Sequence, residues 1–481
     1  MLGAVFVTRW STVPGVMHNA QGRGVARLAA MGLGRPMNIS NGGSDGMQPL
    51  TSERSTPIMH IAMRDLAMTF GKVGMLSFGG PAAQIALMHQ VLVEQRRWLD
   101  ERRFLGALSF CMLLPGPEAM QLATYAGWRL RGVAGGLVAG LLFVLPGAAL
   151  VLALSILYGF YSAAPAIATL FVGLKAAVLA IVLQALIRIA QRAMEGAMDW
   201  AAAIAGFVAI YFFDLPFPLV IALAGLAGFL FRPAASHNPA SERPAPVALR
   251  ATLKTLVVWL TVWIAPLLLI VAIFGDSHVL AQLALFFSRL AVVTFGGAYA
   301  VLAYMAQEAV SGYGWLSAGE MLDGLALAET TNGPLILVTE FVGYIAVFKQ
   351  GGVCLGILGA MVALWATFAP CFLWIFVGAP YIDILTHSPR LSAALRTITA
   401  VVVGVIANLS VWFAMHVLFN TIDERHVGPL RLYVPDIATV DWFALALTVL
   451  GLVSVFVLRL GIVATLSLCA AASFVWLQLI A

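Results

Sequence analysis

Lys72-Val73-Gly74-Met75-Leu76-Ser77-Phe78-Gly79-Gly80-Pro81 is echoed 217 residues later by Arg289-Leu290-Ala291-Val292-Val293-Thr294-Phe295-Gly296-Gly297-Ala298. The same separation carries Trp98-Leu99 onto Trp315-Leu316 and Pro115-Gly116-Pro117 onto Asn332-Gly333-Pro334. Chance does not hold three motifs in one register, so the chain contains an internal repeat, a feature that decides architecture before any local reading does. Each copy also places a cation, Lys72 or Arg289, six residues ahead of its Phe-Gly-Gly.

The solvent around these repeats is lipid. Hydrophobic residues make up 61% of the 481 and charged residues only 10%, with a mean hydropathy of +0.95. A water-soluble chain of this length cannot hide so much apolar surface. The formal charge of +5 is modest and dispersed, which argues against a nucleic-acid partner. Thirteen apolar runs approach the length of a membrane span: 62–92, 104–125, 133–161, 164–190, 197–213, 215–231, 253–275, 279–305, 320–348, 352–379, 391–419, 439–457 and 461–480. Six precede a Pro-rich polar connection, one joins the halves and six follow. An even number plus one starts the second repeat on the opposite side of the membrane, the architecture of many secondary transporters. The expected fold is therefore an all-α, polytopic transmembrane helical bundle of two inverted-topology repeats, with about 10–13 membrane segments and broken or re-entrant helices.

The domains follow: a disordered N-terminal extension over 1–57, a first repeat over 58–231, a linker over 232–252, a connecting transmembrane helix over 253–277 and a second repeat over 278–481. The extension has no apolar stretch long enough for a secretory signal, and Met37, Met47 or Met59 are alternative starts. Basic residues in short loops place the N-terminus in the cytoplasm, and the expected location is the cell inner (plasma) membrane, crossed several times. One loop objects: Glu94–Arg103 carries Arg96, Arg97, Arg102 and Arg103, and a thirteen-span count puts it outside unless run 62–92 is a re-entrant hairpin and another run compensates. Cys111, Cys354, Cys371 and Cys469 lack metal-ligand or CxxC spacing and read as buried packing residues.

Glycine and proline break the apolar runs at Phe78-Gly79-Gly80-Pro81, Pro115-Gly116-Pro117, Phe295-Gly296-Gly297 and Asn332-Gly333-Pro334. In hydrocarbon such breaks require protein or water to satisfy the freed backbone. They read either as packing kinks or as an oxyanion site, because a half-helix N-terminus offers free N–H donors and the positive end of its dipole. Lys72 and Arg289 would supply formal charge, although Lys72 sits near enough to its segment start to snorkel. Lys175 is a third cation candidate without a repeat partner. Glu118 and Glu329 flank the second and fourth breaks and Glu340 follows; they read equally as proton-coupling carboxyls or as structural ion-pair partners. No nucleophile–base pair, P-loop, dinucleotide fingerprint or haem or iron–sulfur pattern occurs, so the chain reads as a non-enzyme with no cofactor and no metal.

At these residues the chain resembles the CHR family of chromate transporters in its long, two-domain form. The resemblance runs in the first half from Phe70-Gly71-Lys72-Val73-Gly74 through Ser77-Phe78-Gly79-Gly80-Pro81, Arg97-Trp98-Leu99 and Leu114-Pro115-Gly116-Pro117-Glu118-Ala119 to Gly127-Trp128. In the second it runs from Thr294-Phe295-Gly296-Gly297-Ala298-Tyr299-Ala300 through Ala328-Glu329-Thr330-Thr331 to Gly333-Pro334-Leu335. Asn332 and Ala303 depart from the family pattern, which usually has Pro at both. The resemblance implies export of chromate from the cytoplasm, with sulfate, of the same shape and charge, as competitor or alternative cargo. The residues themselves leave direction open, an importer of sulfate or another oxyanion being the alternative, and they leave open the coupling ion and the oligomeric state, a homo-oligomer included.

Overall fold

A computed structural model describes residues 61–231, 249–295, 298–382 and 388–480; the expected extension over 1–57 lies outside them, as does most of the linker. Fifteen α-helices run through these segments: α1 Met63–Leu76, α2 Gly80–His89, α3 Glu101–Leu113, α4 Glu118–Tyr161, α5 Pro165–Ala193, α6 Ala197–Tyr211, α7 Phe217–Phe231, α8 Leu249–Phe274, α9 Val279–Val293, α10 Ala298–Gln307, α11 Ala318–Thr330, α12 Val338–Gly378, α13 Pro389–Leu418, α14 Trp442–Leu452 and α15 Ile462–Ile480. Among the described residues, six segments are long and apolar enough to cross a membrane, so the chain is an all-α polytopic membrane protein.

Two of the longest helices are not straight. Gly132 (φ 64°, ψ −157°) reverses α4 and Gly352 (φ 72°, ψ −164°) reverses α12, splitting each into a short arm (118–130, 338–350) and a full span (133–161, 353–378). The arms fold back tightly, Gly127 meeting the carbonyl of Gly135 and Gly343 that of Gly359. Side chains at these crossings would hold the backbones apart, which is why small residues occupy them.

The arms reveal the topology. Phe110 of α3 packs on Gly378 at the end of α12, and Thr124 in the α4 arm lies against Gly140, itself beside Phe372 of α12. Both α3 and the α4 arm therefore descend from their shared tip, residues 114–117, toward one face, here called proximal. In the second repeat, the Tyr158 hydroxyl of α4 donates to Asp323 of α11 (2.7 Å) while Gly159 meets Phe348 of the α12 arm. That hairpin, with its tip at 331–334, descends toward the opposite, distal face. The same holds one step earlier in each repeat. The end of α2 meets the start of α3 through His89 and Glu101 (2.7 Å), and Phe286 of α9 packs on Tyr304 of α10 (5.6 Å).

Four of the thirteen apolar runs are thus re-entrant hairpins, two per repeat, and nine helices pass between the faces among the described residues. The repeats are inverted because each half keeps an even number of passes and α8 adds one. The objecting loop is resolved as well: runs 62–92 and 104–125 both return to the proximal face, so Arg96, Arg97, Arg102 and Arg103 join Arg129, Arg131, Arg188, Arg192, Arg390 and Arg459 there.

Three further points correct or extend the sequence reading. Cys354 is exposed just beyond the α12 reversal, whereas Cys111, Cys371 and Cys469 are buried. The helix α8 begins at Leu249, inside the expected linker. A β-hairpin, β1 Ile422–Val427 and β2 Leu430–Pro435, interrupts the helices at the distal face around Gly428 (φ 61°) and Pro429, a turn type that places glycine first. Its buried Arg431 pairs with Asp214 (2.7 Å) and donates to the carbonyl of Ile210 (3.2 Å), which pins the strands onto the α6–α7 turn.

Candidate functional site at the meeting of the hairpin tips

Helix α1 stops at Ser77 and α9 at Thr294, each with ψ near 70° (68° and 73°). In both, the hydroxyl donates back one turn, to Val73 O (2.6 Å) and Leu290 O (2.5 Å). This leaves the terminal carbonyls free, and the opposite repeat uses them: Gly116 N–H donates to Thr294 O and Gly333 N–H to Ser77 O, each at 2.9 Å. Residues 77 and 294, and 116 and 333, are themselves repeat equivalents. The two re-entrant tips therefore exchange one hydrogen bond each with the other repeat's broken helix. Both tip glycines hold positive φ, 122° and 94°, a conformation that side chains oppose.

Two glutamines and one asparagine complete the junction. Gln84 of α2 donates its amide to Gly333 O (2.6 Å) and, more weakly, to Ser77 O (3.4 Å). Gln121 donates to Pro115 O (2.7 Å). Asn332 Nδ2 donates to Gly74 O (3.1 Å), so the residue that departs from the family pattern ties its tip to α1.

Between the tips lies a cavity of about 20 Å³ lined by Pro81, Gln84, Pro117, Glu118, Ala119, Pro334, Leu335 and Ile336. Three helix starts converge on it, those of α2 at Gly80-Pro81, of α4 after Pro117, and of the 3₁₀ turn Leu335–Leu337 that leads into α12. The first bond of α4 runs from Gln121 N–H to Pro117 O and that of the 3₁₀ turn Leu335–Leu337 from Leu337 N–H to Pro334 O, so the N–H groups of Glu118, Ala119, Met120, Leu335 and Ile336 precede their ladders. Such groups, with the dipoles behind them, suit an anion. The volume admits about one water and is too small for a five-atom oxyanion, so the tips are closed on the site. A larger cavity, about 290 Å³, opens at the distal face between Asp214, Tyr304, Glu308 and Arg431. It lies away from every helix break, and its Arg431 is already paired.

The expected site residues divide accordingly. Gly79, Gly80, Pro115, Gly116, Pro117, Asn332, Gly333 and Pro334 gather at the junction, with Glu118 on the cavity wall. Phe78 is exposed beside it and Phe295 half-buried; Gly296 and Gly297 lie outside the described residues. Lys72 and Arg289 are exposed on α1 and α9, about a turn from the breaks, and neither lines the cavity. Glu329 is buried and accepts from the Tyr299 hydroxyl (2.9 Å), while Glu340 is buried with Oε2 unpartnered among the described residues. Lys175, without a repeat equivalent, pairs with Asp323 of the second hairpin (3.0 Å). No three potential metal ligands cluster among the described residues. Gln84 and Gln121 went unread in the sequence; their only signal was a polar amide inside an apolar run.

Lys349 anchors the base of the second hairpin, through Glu320 (2.7 Å) and the carbonyl of Trp315 (3.2 Å). Lys349→Ala is expected to lower thermal stability in detergent while Arg425→Ala, on the exposed β-hairpin, leaves it unchanged; a melting series on both variants checks this.

Comparison with known proteins agrees with this geometry. A family described as "Chromate transporter" matches residues 64–229 and again 281–474, once per inverted repeat. The chain is similar to a chromate transport protein of Pseudomonas aeruginosa, at 33% identity over 74% of this chain and 82% of the relative. It is also similar to a chromate transport protein of Cupriavidus metallidurans (27%, 72% and 80%) and to a probable chromate transport protein of Synechococcus elongatus (28%, 73% and 86%). No solved structure matches the chain. Repeated breaks, inverted hairpins and a profile that fits each repeat lead to one statement: the chain belongs to the chromate transporter family.

Proposed function

We propose that the protein carries chromate out of the cytoplasm across the inner (plasma) membrane, by alternating access between its two inverted repeats. The observation that carries this reading is the junction itself. Two hairpins enter from opposite faces, and their tips are held closed by only a few hydrogen bonds between repeats. Separating one tip from its partner opens the cavity to one face, and the equivalent motion in the other repeat opens it to the other. The clustering of arginines on the proximal face supports a cytoplasmic assignment for it. Lys72 and Arg289, exposed one turn from the breaks, act as charge along the approach rather than in the cavity.

Outward transport needs no ATP. One charge crossing about 100 mV is worth roughly 2.3 kcal/mol, so a dianion leaving a cell that is negative inside gains about 4.6 kcal/mol. At about 1.4 kcal/mol per tenfold, this supports a gradient on the order of a thousandfold. Sulfate is the rival cargo, since shape alone does not separate it from chromate.

The test is chromate flux in proteoliposomes under an imposed potential. Flux that follows the potential, and that falls in Lys72→Ala and Arg289→Ala but not in Arg425→Ala, is the expected result. Absence of flux at any potential or pH gradient removes the transport reading.

A further inference from the structure

The two pairs of re-entrant hairpins are not held alike. In the distal pair, Lys175 of α5 and Tyr158 of α4 both reach Asp323 of α11 (3.0 and 2.7 Å). Gln307 at the end of α10 donates to Asp214 on the α6–α7 turn (2.6 Å), and Asp214 also pairs with the buried Arg431 of β2 (2.7 Å). Tyr304 of α10 stacks on Phe217 of α7 (5.3 Å). These ties fasten second-repeat hairpins to helices and a turn of the first repeat. The proximal pair lacks them: among the described residues, the polar side-chain bonds of α2 and α3 stay between these two arms, as His89 with Glu101 (2.7 Å), or run to the junction, as Gln84 with Gly333.

The difference lies in the residues themselves. Moved back 217 positions, Asp323 falls on Gly106 and Tyr304 on Leu87. Setting Pro165, the first residue of α5, on Pro389, the first of α13, puts Lys175 on Thr399, whose hydroxyl is turned back to Leu395 O (2.9 Å). The α6–α7 turn corresponds to the α14–α15 turn, where Asp214 and Arg459 share a left-handed backbone (φ 51° and 53°). The carboxylate that joins Gln307 to Arg431 is thus replaced by a cation, and the described part of the first repeat has no β-hairpin to meet it. Exposure follows the same division. Leu105 and Met112 on α3 are 48% and 49% exposed, whereas Leu322 and Glu329, their equivalents on α11, are 2% and 7% exposed.

We infer that Lys175–Asp323 and Gln307–Asp214–Arg431 form a distal latch, so that the empty carrier rests with its distal hairpins shut and its proximal hairpins the ones free to open. This rests on the transport reading and deepens it by assigning the resting orientation. In a carrier of two inverted repeats, the opposite-facing state is the one in which the two halves exchange environments. Reaching the distal-open state breaks the latch, and closing the proximal hairpins in its place sets Gly106 against Thr399, which supplies no ion pair. An equilibrium between two conformations follows the difference in their interactions. With the proximal face cytoplasmic, the empty site waits on the side from which export begins. Net direction still follows the gradients; the latch decides which side captures cargo first.

The test is thiol labelling of the full chain in proteoliposomes. Cys354→Ser removes the exposed native thiol and leaves the buried ones, and Leu105→Cys or Leu322→Cys, introduced separately, reports on one pair of hairpins. The probe is a charged, membrane-impermeant methanethiosulfonate, present on both sides of the vesicle. Without chromate, Leu105→Cys is expected to react about tenfold faster than Leu322→Cys, the ratio that a tenfold bias between the two states gives. Gln307→Leu combined with Lys175→Met and Asp323→Leu removes the latch without stranding a buried charge. It is expected to raise the Leu322→Cys rate and lower the Leu105→Cys rate, and Gln307→Leu alone, at a surface position, shifts both rates in the same sense by less. A rise in both rates is general loosening and overturns the latch. So do rates that the variants leave unchanged, and so does a Leu105→Cys thiol that never reacts because it faces lipid. Chromate flux in the same vesicles keeps the two readings apart: a failed labelling pattern with flux intact removes the latch alone, and no flux from the unaltered chain removes the transport reading and the latch with it.

Discussion

Gly147→Leu is expected to abolish chromate flux and to reduce the yield of folded protein sharply. Gly147 is the midpoint of the α4 span, where the tip of the second hairpin rests. A Cβ there would run into the carbonyl oxygen of Asn332 and lie 2.8 Å from Leu337 Cδ1. The obstruction at Asn332 is backbone, which cannot rotate aside as a flexible side chain does. To make room the tip must move, and it then loses the bonds from Gly333 N–H to Ser77 O (2.9 Å) and from Asn332 to Gly74 O (3.1 Å). Overpacking alone costs about 1–3 kcal/mol, and each buried backbone group left unpaired adds a comparable amount. Size-exclusion yield and flux, measured beside Gly132→Ala, separate a tip-specific effect from a general one. Gly132 has φ 64° and no neighbour for a Cβ, so its alanine variant strains only the reversal and retains the junction. If Gly147→Leu transported normally, the closed tip could not be part of the cycle.

Lys175→Met is expected to destabilise the protein by about 3–5 kcal/mol, the range for stripping one partner from a buried ion pair. The pair joins the repeats. Lys175 Nζ on α5 lies 3.0 Å from Asp323 of the second hairpin, with side-chain exposures of 22% and 10%. The same carboxylate accepts from Tyr158 on α4 at 2.7 Å. Removing the ammonium leaves a charge that burial penalises, whereas Lys175→Met combined with Asp323→Leu removes the cost at its source. Most of the lost stability should return in the double variant, and thermal melts of the four-member cycle measure the coupling. Equal, additive losses would mean that the two side chains act separately. A flux assay on the double variant then distinguishes a bond needed only for stability from one that positions the second hairpin.

Much of the fold was open to reading because its signals are local or periodic. The 217-residue register exposed the repeat, and the apolar runs coincide with helices or helical hairpins to within a few residues. Their count could not say which segments cross. Run 104–125 has the composition of a span, yet it folds back at Pro115-Gly116-Pro117 because the tip finds acceptors on the other repeat, at Thr294 O. Hydropathy is the same for a hairpin and a crossing; only the partner of the broken backbone tells them apart. The arginine-rich loop at 94–103 was the one clue: it pointed to run 62–92 as a re-entrant hairpin with a second run compensating, without naming 104–125 as that run.

The candidate site was half legible for the same reason. Glycine and proline breaks are written in the chain, and their gathering at one junction agrees with their shared register. Gln84 could not be found this way, because its role depends on Gly333, 249 residues away. Lys72 and Arg289 drew notice as intramembrane cations, yet their distance from the cavity wall is set by the rotation of α1 and α9, which no spacing rule fixes.

By itself the sequence determined the solvent and the repeat, since these depend on composition and register, quantities read along the chain. Tertiary structure alone decided which apolar runs turn back, which amide faces which carbonyl, and that the wall between the tips carries an acceptor and a carboxyl instead of the cations, because those outcomes rest on contacts between residues that no local pattern brings together.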